Sequence, residues 1–202
     1  MQPHTTDPAK DPVPSKSTLH DLIHNFGDLL RFGILVIAIV VVVRGIIAQP
    51  FIVSGTSMVP TFANKDYLVI DQLTYRFSDP HRGDVVVFRP PYNKNIFLIK
   101  RIIGIPGDTV TVKNGIATIT NAEHPEGVRL SDEYTTPDTL IEDVTTVVTE
   151  GNYFVMGDNR PASYDSRRWG LLPKKNITGR AFLRVFPTKQ FGLLPGKYEI
   201  LP

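Results

Sequence analysis

Thr109-Val-Thr-Val-Lys-Asn-Gly-Ile-Ala-Thr-Ile-Thr120 sets two alternating, β-branched runs on either side of Asn114-Gly115. Asn-Gly supplies the positive φ angles that a tight type I′ turn needs, so this stretch reads as a β-hairpin. The same pattern continues outward. Tyr67–Leu73, Asp84–Phe88, Ile96–Ile103, Val144–Val148, Tyr153–Met156 and Ala181–Phe186 read as further strands, and Pro106-Gly-Asp108 as a sharp turn ahead of the hairpin. Short runs broken by turn residues predict a mostly β domain with an antiparallel sheet rather than βα units. A helical turn is expected only within Pro161–Arg168, and residues 118–150, rich in acidic and hydroxyl side chains, are expected to form a peripheral loop or cap.

The chain has 202 residues, a formal net charge of +2 and no cysteine. That length supplies one substantial core, or two small ones sharing a sheet. The near-neutral charge and the lack of a basic cluster interleaved with aromatics argue against a nucleic-acid partner. Without cysteine there is no disulfide and no thiolate metal site, which is compatible with a location outside the cytoplasm.

Residues 1–31 hold segments such as Thr5-Thr-Asp-Pro-Ala-Lys-Asp-Pro-Val-Pro-Ser15. These bury too little apolar area to offset ordering entropy, so a disordered tail is expected. From Phe32 to Val43 no charge occurs, and after Arg44 the apolar character resumes through Ala48. Residues 32–48 make roughly 17 residues, or about 25 Å of helix, the short end for a membrane span. Arg44 can snorkel to the interface and Pro50 stops the helix. An uncleaved anchor is the reading adopted, a cleaved signal the competing one. Lys10, Lys16 and Arg31 before the run favour a cytoplasmic N-terminus, leaving residues 49–202 as an extracytoplasmic domain.

Chemistry concentrates in three segments beyond that run. Ser57 stands in Ser54-Gly-Thr-Ser-Met-Val-Pro-Thr61, either an ordinary turn serine or a hydroxyl bracketed by Gly55, Met58 and Pro60 for reaction with a substrate. Lys100 lies in Ile96-Phe-Leu-Ile-Lys-Arg-Ile-Ile103, either a surface lysine on an edge strand or an amine desolvated among apolar neighbours. A hydroxyl needs a base, and none of His4, His20, His24, His81 and His124 is well placed, so a Ser-Lys dyad is preferred to a Ser-His-Asp triad. The third segment, Gly157-Asp-Asn-Arg-Pro-Ala-Ser-Tyr-Asp-Ser-Arg-Arg-Trp-Gly170, is either a solvated loop or one stiffened by pairing among Asp158, Arg160, Asp165 and Arg167. In the second case Ser163 could orient the lysine amine.

With these segments in order, together with Arg82-Gly-Asp-Val-Val-Val-Phe88 and Lys100-Arg-Ile-Ile-Gly-Ile-Pro-Gly-Asp108, the chain from Phe32 onward resembles the type I signal peptidases. The resemblance implies an antiparallel β fold of that family behind one N-terminal transmembrane helix in the cell membrane. It implies Ser57 as nucleophile, Lys100 as general base, Ser163 as orienting partner, and Asp158, Asp165 and Arg167 as a structural shell. Some family members carry a serine two residues before the nucleophile, where this chain has Gly55. The oxyanion donor is therefore assigned to the Ser57 backbone N–H, with a contribution from Ser54 or Thr56 left open. Phe51, Val53, Met58 and Ile99 are expected to line shallow substrate pockets. The implied partners are signal peptides of exported preproteins, the lipid bilayer and the protein-export machinery; no metal or organic cofactor is implied. A self-cleaving Ser-Lys repressor would need a DNA-binding helical module where this chain has a tail and a membrane run, and a non-catalytic, membrane-tethered β module binding export clients is the other alternative.

Overall fold

The computed structural model describes residues 17–42, 48–131, 134–136 and 143–197. It comprises two compact units, Met1–Val43 and Arg44–Pro202. The first holds one helix, α1 (Ser17–Val42). It starts well before Phe32, so Ser17–Arg31 are helical where a tail was expected. Only the 32–42 part of the expected anchor lies in α1, because 43–47 fall outside the described residues and Ala48 opens a strand. Among the described residues no helix is long and apolar enough to cross a membrane. The described apolar side chains of α1 are nonetheless exposed, Leu35 by 57% and Ile37 by 65%.

The second unit is the expected antiparallel β domain. Its strands are β1 (Ala48–Ile52), β2 (Tyr67–Asp71), β3 (Val85–Phe88), β4 (Leu98–Gly104), β5 (Thr109–Lys113), β6 (Ile116–Thr120), β7 (Val128–Arg129), β8 (Val144–Val147), β9 (Asn152–Met156), β10 (Leu172–Pro173), β11 (Ile177–Phe186) and β12 (Gly192–Leu193). The larger sheet runs β1-β2-β11-β3-β4-β9-β10 with β12 beside β11, and the smaller runs β7-β6-β5-β8. Two single-turn helices, α2 (Thr74–Phe77) and α3 (Ser166–Trp169), interrupt the strands. α3 overlaps the end of the stretch 161–168, where a helical turn is expected, and runs one residue past it, whereas α2 lies where none is expected.

Asn114 and Gly115 adopt φ of 50° and 76°, the turn chemistry read from the sequence, and β5 and β6 pair in unbroken register from Thr109↔Thr120 to Lys113↔Ile116. β1 is a strand the sequence reading did not include. Pro50, expected as a helix stop, lies instead within β1 at the sheet edge, where a missing N–H is tolerated. Residues 118–150 are more than a loop, since β7 and β8 flank the hairpin and complete a small sheet.

Val85-Val-Val-Phe88 is buried throughout because both faces of β3 are covered. Val85 and Val87 pack with Met58, Phe62, Leu68 and Ile70, whereas Val86 and Phe88 pack with Ile102, Tyr153 and Val155. A third cluster joins the sheets, with Ile103, Phe154 and Met156 of the larger one against Val110, Val112, Ala117 and Ile119 of the smaller. Fixing β4 on both faces and against a second sheet fixes Lys100, its third residue.

Candidate active site

Lys100 sits opposite Val86 across the β3–β4 ladder and is 3% exposed. Its Nζ donates to Ser57 Oγ at 2.5 Å and to the Ile99 carbonyl at 3.0 Å. Burial pushes the amine down to about 8 from its ordinary 10.5; the Asp165 and Asp158 carboxylates pull the other way, and Arg167 adds to the depression. A lysine in that range is neutral in a useful fraction of molecules near neutral pH, and a neutral amine accepts a proton.

Ser57 is carried on the turn that follows β1. Val53 N–H donates to Asp66 O, Lys65 N–H to Val53 O, and Phe62 N–H to Met58 O, so the turn is closed on itself by its own backbone. From across the chain Asn159 clamps it twice, its N–H donating to Ser57 O at 3.1 Å and its Nδ2 to Thr56 O at 3.0 Å. The Ser57 N–H makes no hydrogen bond among the described residues, which leaves it available to an oxyanion. The side chains of Ser54 and Thr56 are exposed, and Ser54 lines the groove beside the serine.

The loop 157–170 packs against this turn. A Cβ on Gly157 would lie 2.4 Å from both Ser57 O and Ser163 Oγ, so only glycine permits the approach. Ser163 is buried beside the pair, but its Oγ has no hydrogen-bond partner among the described residues, and the expected bond to Lys100 is not made. Asp165 accepts from Arg167 Nε at 2.8 Å and Nη2 at 2.9 Å, a two-pronged pair, and its Oδ2 also accepts from Gly157 N–H at 3.0 Å.

Asp158 does not pair within the loop as expected. It accepts from Arg101 Nε at 2.9 Å and Nη2 at 2.6 Å and from Thr61 Oγ1 at 2.5 Å. Arg160 instead donates to the carbonyls of Gly157 and Gly115, reaching the hairpin turn. Arg101, Thr61 and Asn159 are the residues that sequence reasoning missed. Arg101 carried a usable signal, since a second cation in an apolar strand needs a counter-charge once buried. Nothing in the sequence singles out Thr61 or Asn159, whose partners are distant in the chain.

Beside the pair lies a groove of about 100 Å³, walled by Phe51, Val53, Leu68, Val87, Phe97 and Ile99 and reaching Ser57 and Lys100. Three of the four expected pocket residues are there. Met58 is not; at 1% exposure it belongs to the core beneath the turn, because the main chain reverses there and directs it inward. Along the groove β4 is open, since Leu98, Ile99 and Lys100 pair with β3 while β9 joins only from Arg101. Among the described residues no cluster of three or more histidine or carboxylate side chains could hold a metal ion. A hydroxyl against a buried, depressed lysine, with a free N–H and an apolar groove beside them, is equipped for nucleophilic attack on a carbonyl.

The family described as signal peptidase, peptidase S26, matches residues 27–186, and the chain belongs to that family. It is 37% identical over 178 residues to a probable signal peptidase I-1 of Synechocystis sp., covering 84% of this chain and 87% of that one. A signal peptidase I of Bacillus caldolyticus is 34% identical over 163 residues, with 77% and 88% covered. A crystal structure of a signal peptidase I from Enterococcus faecalis is 32% identical, covers 51% of this chain and 97% of its own, and superposes with a TM-score of 0.42.

Proposed function

We propose that this chain is a membrane-bound serine endopeptidase that cleaves signal peptides from exported preproteins, with Ser57 as nucleophile and Lys100 as general base. The observation that carries the dyad is the 2.5 Å contact between Lys100 Nζ and Ser57 Oγ at the mouth of an apolar groove. The substrate class follows from membership of the signal peptidase family.

An extended peptide segment enters the groove as an added strand along the open part of β4, its apolar side chains directed at the walls. Neutral Lys100 takes the Ser57 proton as Oγ attacks the scissile carbonyl. The resulting oxyanion is held by the Ser57 N–H. Lys100 then returns the proton to the leaving amine, giving an acyl-enzyme and the released mature chain. Water next attacks the ester with Lys100 again as base, and Ser57 is restored as the signal peptide leaves. Asp158 and Asp165 hold the Arg101 and Arg167 guanidiniums, and with Asn159 they keep the turn and the loop in register. Ser163 is assigned the role of orienting the amine once substrate is bound, consistent with its buried, unengaged hydroxyl next to the turn.

The exposed apolar side chains of α1 support a single membrane anchor that begins near Phe32, and Lys10, Lys16 and Arg31 ahead of it support a cytoplasmic N-terminus with the β domain on the far side. The bilayer and the export machinery are then its neighbours. The test is turnover of a signal-like peptide by the purified full chain in detergent. Ser57→Ala and Lys100→Ala each abolish it with the fold intact. A folded Ser57→Ala protein that still cleaved would end the proposal.

A further inference from the structure

Separate from Ser57 and Lys100, a cleft lies where the ends of β3 and β11 meet the start of β4. Gln49, Gln72, Arg89, Lys94, Lys175 and Asn176 line it. Three of these six are cations and none is an acid. Among the described residues none of Arg89, Lys94 and Lys175 takes part in an ion pair, and the neighbouring Lys174 alone engages Asp79. Uncompensated positive charge is thereby gathered in one concavity, where field lines are focused.

Asn176 is the element that makes this a site rather than a basic surface. It is 7% exposed, and its Nδ2 has no hydrogen-bond partner among the described residues. Its orientation is determined: Oδ1 accepts from Lys94 Nζ at 2.6 Å, so the amide donors are the end left unspent. A buried donor without a partner costs free energy unless a ligand or water meets it. The backbone holds it beside Arg89, whose N–H donates to Asn176 O at 3.0 Å. The Arg89 guanidinium in turn lies 4.7 Å over the Phe97 ring, which limits its freedom. Gln72 and Gln49 are already bonded to each other at 2.6 Å and close one wall.

We propose that this cleft binds a phosphate group, through Arg89, Lys94, Lys175 and the Asn176 amide. A tetrahedral oxyanion accepts from several directions at once, and this cleft is lined by a guanidinium fork, two ammonium groups and an amide, with no carboxylate among its lining residues. The phosphate is either that of a phospholipid headgroup or free in solution. Phe97 belongs to this cleft and to the apolar groove alike, so an occupant would sit next to the substrate without touching the reacting pair.

The experiment uses the full chain in a detergent without phosphate, followed by ³¹P line broadening. Inorganic phosphate and dihexanoyl phosphatidylglycerol are titrated separately. Saturable binding of both assigns recognition to the phosphate alone; binding of the lipid only assigns it to a headgroup. Arg89→Gln with Lys175→Gln should weaken binding at least about tenfold, the worth of a lost charged hydrogen bond. Asn176→Asp, which keeps the shape but adds a negative charge, should abolish it, while Ser57→Ala should leave it unchanged. Because the readout is binding, it is independent of whether the peptidase reading holds. Failure of both probes to bind the wild-type chain, or undiminished binding by the double variant or by Asn176→Asp, overturns the proposal.

Discussion

Replacing Lys100 with methionine should inactivate the chain and stabilise it, by an amount that depends on pH in a definite way. The amine is lowered from 10.5 to about 8 by burial, with Asp165 and Asp158 opposing. At about 1.36 kcal/mol per pKa unit, that shift corresponds to about 3 kcal/mol. Below pH 8 the amine is protonated in both states, so the folded chain bears the full cost of a buried ammonium. Between about 8 and 10.5 the folded state has released the proton and the unfolded state still binds it, so wild-type stability rises with pH; above 10.5 the cost is gone. Methionine keeps the unbranched stem and has no charge. The variant should therefore exceed the wild type near pH 7, by about 2 kcal/mol after deducting about 1 for the lost Ser57 and Ile99 hydrogen bonds. That advantage should shrink by about 3 kcal/mol on going to pH 10.5. Urea unfolding of both full chains in neutral detergent, followed by Trp169 fluorescence at several pH values, measures the difference. A difference that did not change between pH 7 and 10.5 would show that Lys100 titrates as a solvated lysine and would refute the account of its basicity.

The acid limb of kcat/KM should have an apparent pKa near the value of about 8 assigned to Lys100, falling tenfold per pH unit below it; an apparent pKa near 4 would transfer the role to a carboxylate. Lys100→Arg should be as inactive as Lys100→Ala, because a guanidinium keeps its proton, and retention of more than about a hundredth of turnover would contradict that. Gly157→Ala should lower kcat on the order of 10²-fold, since its Cβ must displace the Ser57 carbonyl, a main-chain atom; steady-state kinetics on a folded variant decide it. Asp158→Ala should cost about 3–5 kcal/mol of stability by leaving Arg101 buried without its carboxylate, readable as a lower urea midpoint.

Local chemistry explains which elements were legible in the sequence. The Asn114-Gly115 turn and the alternating runs around it need only nearest neighbours to specify them, and they fold as read. β4 and β9 were legible for the same reason. β1 was hidden because Pro50 is locally a breaker, and only its place at a sheet edge makes it harmless. Met58 illustrates the converse. An apolar residue beside the nucleophile is equally suited to a pocket wall or to the core, and the reversal of the chain after Ser57 decides for the core.

At the site, the sequence by itself determined the inventory: a serine in a constrained turn, a lysine in an apolar strand and an arginine- and aspartate-rich loop, in a family's order. Residue type and short-range spacing suffice for that. Tertiary structure alone decided the partnerships. Lys100 reaches Ser57 across 43 residues and Arg101 reaches Asp158 across 57. Gly157 fits against Ser57 O only because two distant loops meet there. Such contacts carry no local signal, since the energy that fixes them is the burial of β3 and β4 on both faces, and that is a property of the whole sheet.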